Sequence, residues 1–411
     1  MKKILFLSCT DYITEKHGKS MVINGIVNIL DSLEGVDLRV IGLGTNLPEI
    51  ENHPLPQMGS IMRSFLRNIF SLKTIQSIIY YSGEFHRDFY KIIEEVQPDI
   101  IIYDTMRTAQ FANGLKTSAR QIVYMDDLYS KRYQRIISFM KENNSNINLM
   151  GNFSKKLPSI LEKISQSYLI QRLLVNYEIS ALRKEERESV DLYDKVVLIS
   201  SVEVAELAEL TGKKNIESIR PLIKDGSICR VPRENGRFIF LGDLSLPHNE
   251  ASIYNFLEEN TASILQVNKD IEIVIIGKGA SERLLKYSQK YPKNIIILGY
   301  VEDISQEFEQ ASAMIAPLIF GSGVKIKIIE AMANSLPIIA TSVALEGVYF
   351  DNKSSGVFEA TPKEFISHMR YLVHPSNSIM ESERIANQFS KHYSLDKVEA
   401  EYRSVFLEEM K

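Results

Sequence analysis

The stretch Pro317–Gly347, PLIFGSGVKIKIIEAMANSLPIIATSVALEG, reads as a strand end, a glycine turn, a helix and a second strand in immediate succession. Gly321, Ser322 and Gly323 carry little bulk, and glycine tolerates positive φ, so the turn closes tightly and aims backbone N–H groups at a ligand. The helix behind it adds unpaired amides and a positive dipole end, which makes the turn an anion site. With the helix taken to start near Gly323, the residues Gly323, Lys327, Glu330 and Asn334 form one stripe on an otherwise apolar rod running from Val324 to Ala333. A buried helix keeps a lysine and a glutamate only where they meet partners or a ligand. Two readings stand. One is a glycine turn followed by an internal i,i+3 ion pair. The other is a ligand site, with phosphate at the turn and Lys327, and a vicinal diol on the Glu330 carboxylate. A nucleotide sugar offers both groups.

Outward from this stretch, short apolar strands alternate with helical patterns along the whole chain. Lys3–Ser8, Val36–Ile41, Ile100–Tyr103, Gln121–Tyr124 and Lys195–Ile199 read as a first set of strands. Phe238–Gly242, Ile271–Ile276, Ile295–Leu298, Ala313–Ala316 and Pro337–Thr341 read as a second. Helical spacing is expected over 58–81, 84–96, 107–118, 132–142, 157–175, 176–190 and 201–211. The alternation predicts an α/β protein of two doubly wound units with parallel sheets, each binding ligands at the carboxyl ends of its strands. Boundaries are expected at 1–230, 231–381 and a C-terminal helical segment over 382–411, with a hinge near 228–236.

At 411 residues the chain is long for one core, and 45% apolar with 24% charged residues marks a globular protein. Two cysteines, Cys9 and Cys229, stand far apart without a histidine cluster, so reduced thiols, no metal site and a cytoplasmic location are expected. The apolar run at the start is short for a secretory signal and reads as a first strand. No apolar run is long enough to cross a bilayer. The net charge of −4 is unevenly spread: residues 1–200 hold 25 basic and 23 acidic side chains, and residues 128–177 hold eight basic and two acidic. Together with the acid-free stretch 58–81, whose apolar residues keep helical spacing between Arg63, Arg67 and Lys73, this allows a peripheral contact with an anionic membrane or an ordinary solvated face.

The run Gly321–Thr341 resembles the donor-site signature of the GT-B glycosyltransferases of the GT4 type. The resemblance implies two Rossmann-like domains facing each other across a cleft, a nucleotide diphosphate sugar as donor, and a glycan or lipid-linked glycan as acceptor. It places Glu330 on the donor ribose and Lys327 near the pyrophosphate. Many members carry a further glutamate eight positions before that Glu, where it helps to bind the sugar; here the position is Ser322. The run from Phe238 to Ala251, FIFLGDLSLPHNEA, resembles the first strand and phosphate-side loop of the same enzymes, with Gly242 at its turn. Met125–Tyr133, MDDLYSKRY, resembles a run in members that build polysaccharides. Retention of configuration is implied by the resemblance alone, as is the return of the last segment onto the first domain.

On this reading Lys327, Glu330, Asp126 and Asp127 are the candidate catalytic residues. Asp126 and Asp127 follow a strand end, where a carboxylate can take a proton or cap a helix. Gly18, Gly242, Gly277, Tyr300, Val301, Gly321, Ser322, Gly323 and Lys325 join Lys327 and Glu330 as donor-binding candidates, with Lys325 either on the phosphate or facing solvent. His17 and Arg107 are acceptor-side candidates, and Arg107 has the alternative of pairing with Asp104. The chain contains no Asp-x-Asp metal motif, which favours a metal-independent arrangement. Two rival functions use the same fold: a nucleotide-sugar 2-epimerase, which needs acid/base carboxylates around one sugar, and a non-catalytic partner subunit, suggested by Ser322.

Overall fold

A computed structural model describes the chain except residues 15–17, 49, 58, 62, 65–70, 144–167, 227, 352–354 and 409–411. The chain divides into two compact units, one formed by Met1–Gln134, Leu149–Leu222 and Val398–Lys411, the other by Arg135–Asn148 and Ile223–Lys397.

The sheet of the first unit contains β1 (Lys2–Ser8), β2 (Val36–Leu43), β3 (Glu51–His53), β4 (Ile100–Asp104), β5 (Arg120–Asp126), β6 (Lys195–Leu198) and β7 (Ile216–Ser218) in the order β3-β2-β1-β4-β5-β6-β7. Every described pairing is parallel. Parallel strands are covered on both faces, which is why β1 and β4 read as unbroken apolar runs: Ile4–Leu7 and Ile100–Tyr103 are almost fully buried. Chain order reverses between β1 and β4, so the ends of these strands open on the place where a doubly wound sheet takes its ligand.

The second unit repeats the plan with β8 (Arg237–Leu241), β9 (Glu272–Ile276), β10 (Ile295–Gly299), β11 (Ala313–Ala316), β12 (Ile338–Ala340) and β13 (Val357–Glu359), ordered β10-β9-β8-β11-β12-β13 and again parallel. Its reversal lies between β8 and β11, at the start of the loop that leads to Lys327.

Several helices differ from the sequence reading. No single helix runs over 58–81: the chain turns at Ser71 and Leu72, where Leu72 has φ +50°, and Thr74 caps a new helix Ile75–Tyr80 by accepting from the Ser77 amide. Over 107–118 the helix is shorter and earlier, Thr105–Ala109 with one 3-10 turn to Ala112, before Gly114 at φ +80° breaks it. The two helices expected to meet at 175/176 are one in the described residues, Tyr168–Leu192, because no glycine or proline interrupts the run; residues 157–167 lie outside the described set. No described helix is long and apolar enough to cross a membrane.

Candidate functional site

In the second unit the donor-loop helix spans Ile326–Ala333, three residues later than expected from Gly323. Gly323 has φ +69°, a left-handed value that ends any helix, and Lys325 is the N-cap residue. The stripe therefore shortens to Lys327 and Glu330, with Asn334 as the C-cap. Lys325 does not face solvent. It is buried, and its ammonium donates to the carbonyls of Ser322 at 2.7 Å and Gly323 at 2.6 Å, so it ties the glycine turn to itself.

Lys327 Nζ donates to Asn249 Oδ1 at 2.9 Å and lies 4.8 Å from the centroid of the Phe240 ring. Burial pushes its pKa down to about 7, Lys325 adds to this, and Glu330 opposes it. The Glu330 carboxyl is raised by burial and lowered in part by Lys327. Among the described residues none donates a hydrogen bond to that carboxylate, which leaves both its oxygens available to hydroxyl groups. Asn249 is itself held by its amide, which donates to the Asp243 carbonyl at 2.9 Å, and its side chain lies against Gly242.

Gly277 has a steric reason to be glycine: a Cβ there would stand 1.8 Å from the Gly242 carbonyl oxygen. These two glycines let the ends of β8 and β9 meet. Tyr300 is exposed and Val301 half-buried just past β10. The loop after β11 is pinned by Thr341 Oγ1 donating to the Leu318 carbonyl at 2.6 Å, and by Arg135, which donates to the Gly321 carbonyl at 2.5 Å and pairs with Glu346. Asn249 lies in the run Phe238–Ala251 that the sequence marks as the phosphate-side loop, whereas Arg135 sits in no motif and sequence reading missed it.

In the first unit the carboxylate of Asp104, at the end of β4, is the centre of the strand-end cluster. It accepts from Ser8 Oγ at 3.0 Å, the Cys9 amide at 3.1 Å and Thr10 Oγ1 at 2.6 Å, and it pairs with Lys19 at 2.8 Å. Burial pushes its pKa up, but Lys19 and the Thr10 hydrogen bond outweigh that and hold it low. Lys19, in the first turn of the helix Gly18–Ser32, is thus the ion partner of Asp104. Arg107 is not that partner; its Nε donates to Gln76 Oε1 at 2.8 Å and its guanidinium lies 5.3 Å from the Tyr80 ring centroid. His17 lies outside the described residues.

Two non-glycine residues at the ends of neighbouring strands, Thr105 and Asp126, have left-handed φ values of +66° and +69°. Such strain gathers where a fold holds a site open. Asp126 accepts from the hydroxyls of Tyr124 at 2.9 Å and Tyr129 at 3.2 Å. Burial, and then the charge of Asp127, push its carboxyl up to about 6, a value suited to exchanging a proton near neutrality. Asp127 pairs with Arg132.

Among the described hydrogen bonds, neither aspartate takes an amide at the start of the helix Tyr129–Asn143. The amide of Leu128 goes to Glu203 at 3.1 Å and that of Ser130 to Glu186 at 2.9 Å. Three carboxylates of the Tyr168–Leu192 helix do such work: Glu186 on Ser130, Glu178 on the Ile75 amide at 2.8 Å, and Glu185 on Thr74 and Ser77. Burial raises all three, Glu178 and Glu186 to about 7. A small pocket lies among Gln76, Arg107, Asp127, Tyr129, Glu185 and Glu186. Their spacing of seven and eight residues on one helix face was the available signal, since an exposed face would not confine its acids there.

Residues 235–374 match the family model described as "Glycosyl transferases group 1". A Klebsiella pneumoniae protein described as "Uncharacterized 44.6 kDa protein in cps region" is 25% identical over 59% of this chain, and the match spans 63% of that relative. The phosphatidyl-myo-inositol mannosyltransferase of Mycobacterium leprae (strain TN) is 26% identical over 34% of this chain, and the match spans 36% of that enzyme. The crystal structure of TarM superposes with a TM-score of 0.68 over 99% of both chains at 9% identity. A variant of S. aureus TarM in complex with fondaparinux, alpha-GlcNAc-glycerol and UDP gives 0.66 at 9% identity, over 99% of this chain and 100% of that one. The parallel sheets, their strand orders and this likeness are those of the GT-B fold. Through residues 235–374 of its second unit the chain is similar to the group 1 glycosyltransferases, and its fold is GT-B.

Proposed function

We propose that the protein transfers a sugar from a nucleotide diphosphate sugar to a hydroxyl of a glycan or lipid-linked glycan, with retention of configuration. The observation that carries this reading is the pair Lys327 and Glu330 on one short helix: a buried ammonium fixed on Asn249, and a carboxylate to which no described residue donates a hydrogen bond. Glu330 accepts the ribose hydroxyls. Lys327, with the backbone amides of Ser322 and Gly323, meets the charge that grows on the leaving diphosphate and takes the part a metal plays elsewhere. A TarM variant of the same fold is described in complex with UDP, which supports a nucleotide as ligand.

On the first unit, Asp126 holds or accepts the proton of the acceptor hydroxyl, and Arg107 and His17 contact the acceptor. Gly18, Gly242, Gly277, Tyr300 and Val301 complete the donor contacts, while Lys325 acts by shaping the turn. The enzyme works in the cytoplasm and touches anionic lipid at its periphery. Of the eight basic residues in 128–177, Lys131, Arg132 and Arg135 are engaged with Glu206, Asp127 and Glu346. Of the five that remain, Lys141 is exposed on the Tyr129–Asn143 helix, and the lipid contact is assigned to Lys155, Lys156, Lys163 and Arg172; these three lysines lie outside the described residues and Arg172 is exposed.

The test is a thermal-shift screen against nucleoside diphosphate sugars, followed by product analysis with the donor that binds. Stabilisation by at least one donor, and transfer of its sugar to an added glycan, are expected. Absence of stabilisation by every donor overturns the reading, and conversion of the donor to its 2-epimer without an acceptor replaces it.

A further inference from the structure

We infer that Arg135 is a positioning residue for the anion turn: it grips the turn from behind and so aims the Ser322 amide at the diphosphate. The inference rests on the transfer reading for what the turn binds.

A trans peptide unit is planar, and its C=O and the N–H of the next residue point in opposite directions. Whatever holds a carbonyl oxygen of the turn therefore sets where the following amide points. Side chains hold three consecutive carbonyls here. Arg135 Nη1 donates to the Gly321 oxygen at 2.5 Å, and the Lys325 ammonium donates to the Ser322 oxygen at 2.7 Å and the Gly323 oxygen at 2.6 Å. These grips fix the amides of Ser322, Gly323 and Val324 in succession.

The turn needs them because its own backbone supplies little stiffness. Gly321 and Gly323 have φ of +143° and +69°, values that glycine reaches without steric cost and leaves just as freely. A site made of amides binds an anion better when those amides are already aligned, since no ordering remains to be done as the ligand arrives. Lys325 belongs to the sequence of the turn itself. Arg135 stands 186 residues before Gly321, on the helix Tyr129–Asn143, where nothing local links it to the site.

Arg135 is itself held in place. Its Nη2 donates to Glu346 Oε1 at 3.0 Å and its Nη1 pairs with the other carboxylate oxygen, so the planar fork is set by Glu346 while one N–H reaches the turn. Ile136 and Phe139 share this side of the helix. Phe139 stacks on Phe320 at 4.2 Å with 22° between the rings, and both are buried with Ala251. Phe320 precedes Gly321, so the stack anchors the entry to the turn and Arg135 anchors its first carbonyl. The segment Arg135–Asn148 belongs to the second unit, with the turn and Glu346.

The test separates aim from charge. Arg135→Gln should weaken UDP at least fivefold in calorimetric titration and uridine less than twofold, because a nucleoside has no diphosphate for the turn. Arg135→Lys keeps the charge without the fork and should fall between wild type and Arg135→Gln. Glu346→Gln removes a negative charge, so a purely electrostatic role for Arg135 predicts tighter UDP, whereas positioning predicts UDP at least twofold weaker. A further readout needs no ligand. The chain contains no tryptophan, so Phe320→Trp places a single indole beside the turn, and Phe139→Trp serves if that variant misfolds. In this background Arg135→Gln should raise acrylamide quenching of the indole at least twofold, and Lys327→Ala should not. Unchanged quenching, equal loss of UDP and uridine, or tighter UDP in Glu346→Gln overturns the positioning role. A wild type that binds no nucleotide, while Arg135→Gln still loosens the indole, refutes transfer and leaves the grip on the turn. Equal UDP affinity of wild type and Arg135→Gln refutes positioning and leaves transfer.

Discussion

Asn249 Oδ1 accepts a hydrogen bond from Lys327 Nζ at 2.9 Å, which joins the long helix after β8 to the short helix after β11 at the site of strand reversal. An ammonium held by a neutral amide instead of a carboxylate keeps its charge available to a ligand. The Lys327→Ala variant should lose affinity for nucleoside diphosphates and diphosphate sugars by about 1–3 kcal/mol and for nucleosides by much less. Glu330→Gln should weaken nucleosides and nucleotides alike. Calorimetric titration of both variants with uridine, UDP and UDP-sugars checks this, and unchanged affinities throughout would remove the pair from the site.

The same ammonium gives a pH test. Burial, then Lys325, lower its pKa to about 7 in the free protein, so it is charged below that pH and neutral above. Affinity for a diphosphate should therefore fall as pH rises from 6 toward 9, by up to about tenfold per unit above 7. In Lys327→Ala the slope should vanish. The stability sign is opposite, because the unfolded lysine binds its proton more tightly: this residue makes the folded state more stable as pH rises from about 7 to 10.5.

Asp126 and Asp127 should separate on mutation. Asp126→Asn is expected to keep donor affinity and lose turnover by about 100-fold or more, the mark of a group used in proton transfer. Asp127→Asn should lower the melting temperature, since it leaves Arg132 without its carboxylate. Turnover near wild type in both variants would take these residues out of the reaction.

Glu178 and Glu186 predict how the first unit responds to base. Burial raises their pKa to about 7 against 4.5 for the unperturbed group, so the folded state holds extra protons between those values and loses stability as pH climbs through 7. Glu178→Gln keeps an oxygen for the Ile75 amide and removes the titration. It should raise the melting temperature at pH 8, by an effect on the order of 2 kcal/mol, and leave it little changed at pH 5. A wild-type stability that is flat from pH 5 to 8 would contradict it.

Anionic liposomes provide the remaining check. Co-sedimentation should fade with salt and weaken when Lys155, Lys156, Lys163 and Arg172 are replaced together by Gln, at about 1 kcal/mol per basic residue near the surface. Binding that ignores lipid charge or these four residues would leave a solvated face.

Most of the strands were legible because burial on both faces demands apolar runs such as Ile4–Leu7 and Val274–Ile276. The three-residue edge strands β3, β7 and β13 were not: Glu51-Asn52-His53 is polar, and three residues carry no period. Lys327 and Glu330 were legible as a helical pair. The helix start was misplaced because φ at Gly323 and the inward fold of Lys325 depend on the carbonyls of the turn, which composition does not reveal. Asp104 was visible only as a residue closing a strand, since its partners Thr10 and Lys19 come from a loop and a helix more than 80 residues earlier.

Val398–Lys411 belong to the first unit, where Val398, Tyr402, Val405 and Phe406 are buried, Tyr402 donates to the Arg220 carbonyl at 2.8 Å, and Lys2 reaches the Leu407 carbonyl at 2.8 Å. A ribosome delivers residues 1–222 long before those side chains exist. During synthesis the first unit must wait, with part of its apolar core uncovered, until the second has been made, although domains ordinarily fold in the order they emerge. Folding of this chain is therefore gated by its last helices, and a stop codon ahead of Val398 should yield a product that aggregates even though every residue of both sheets is present.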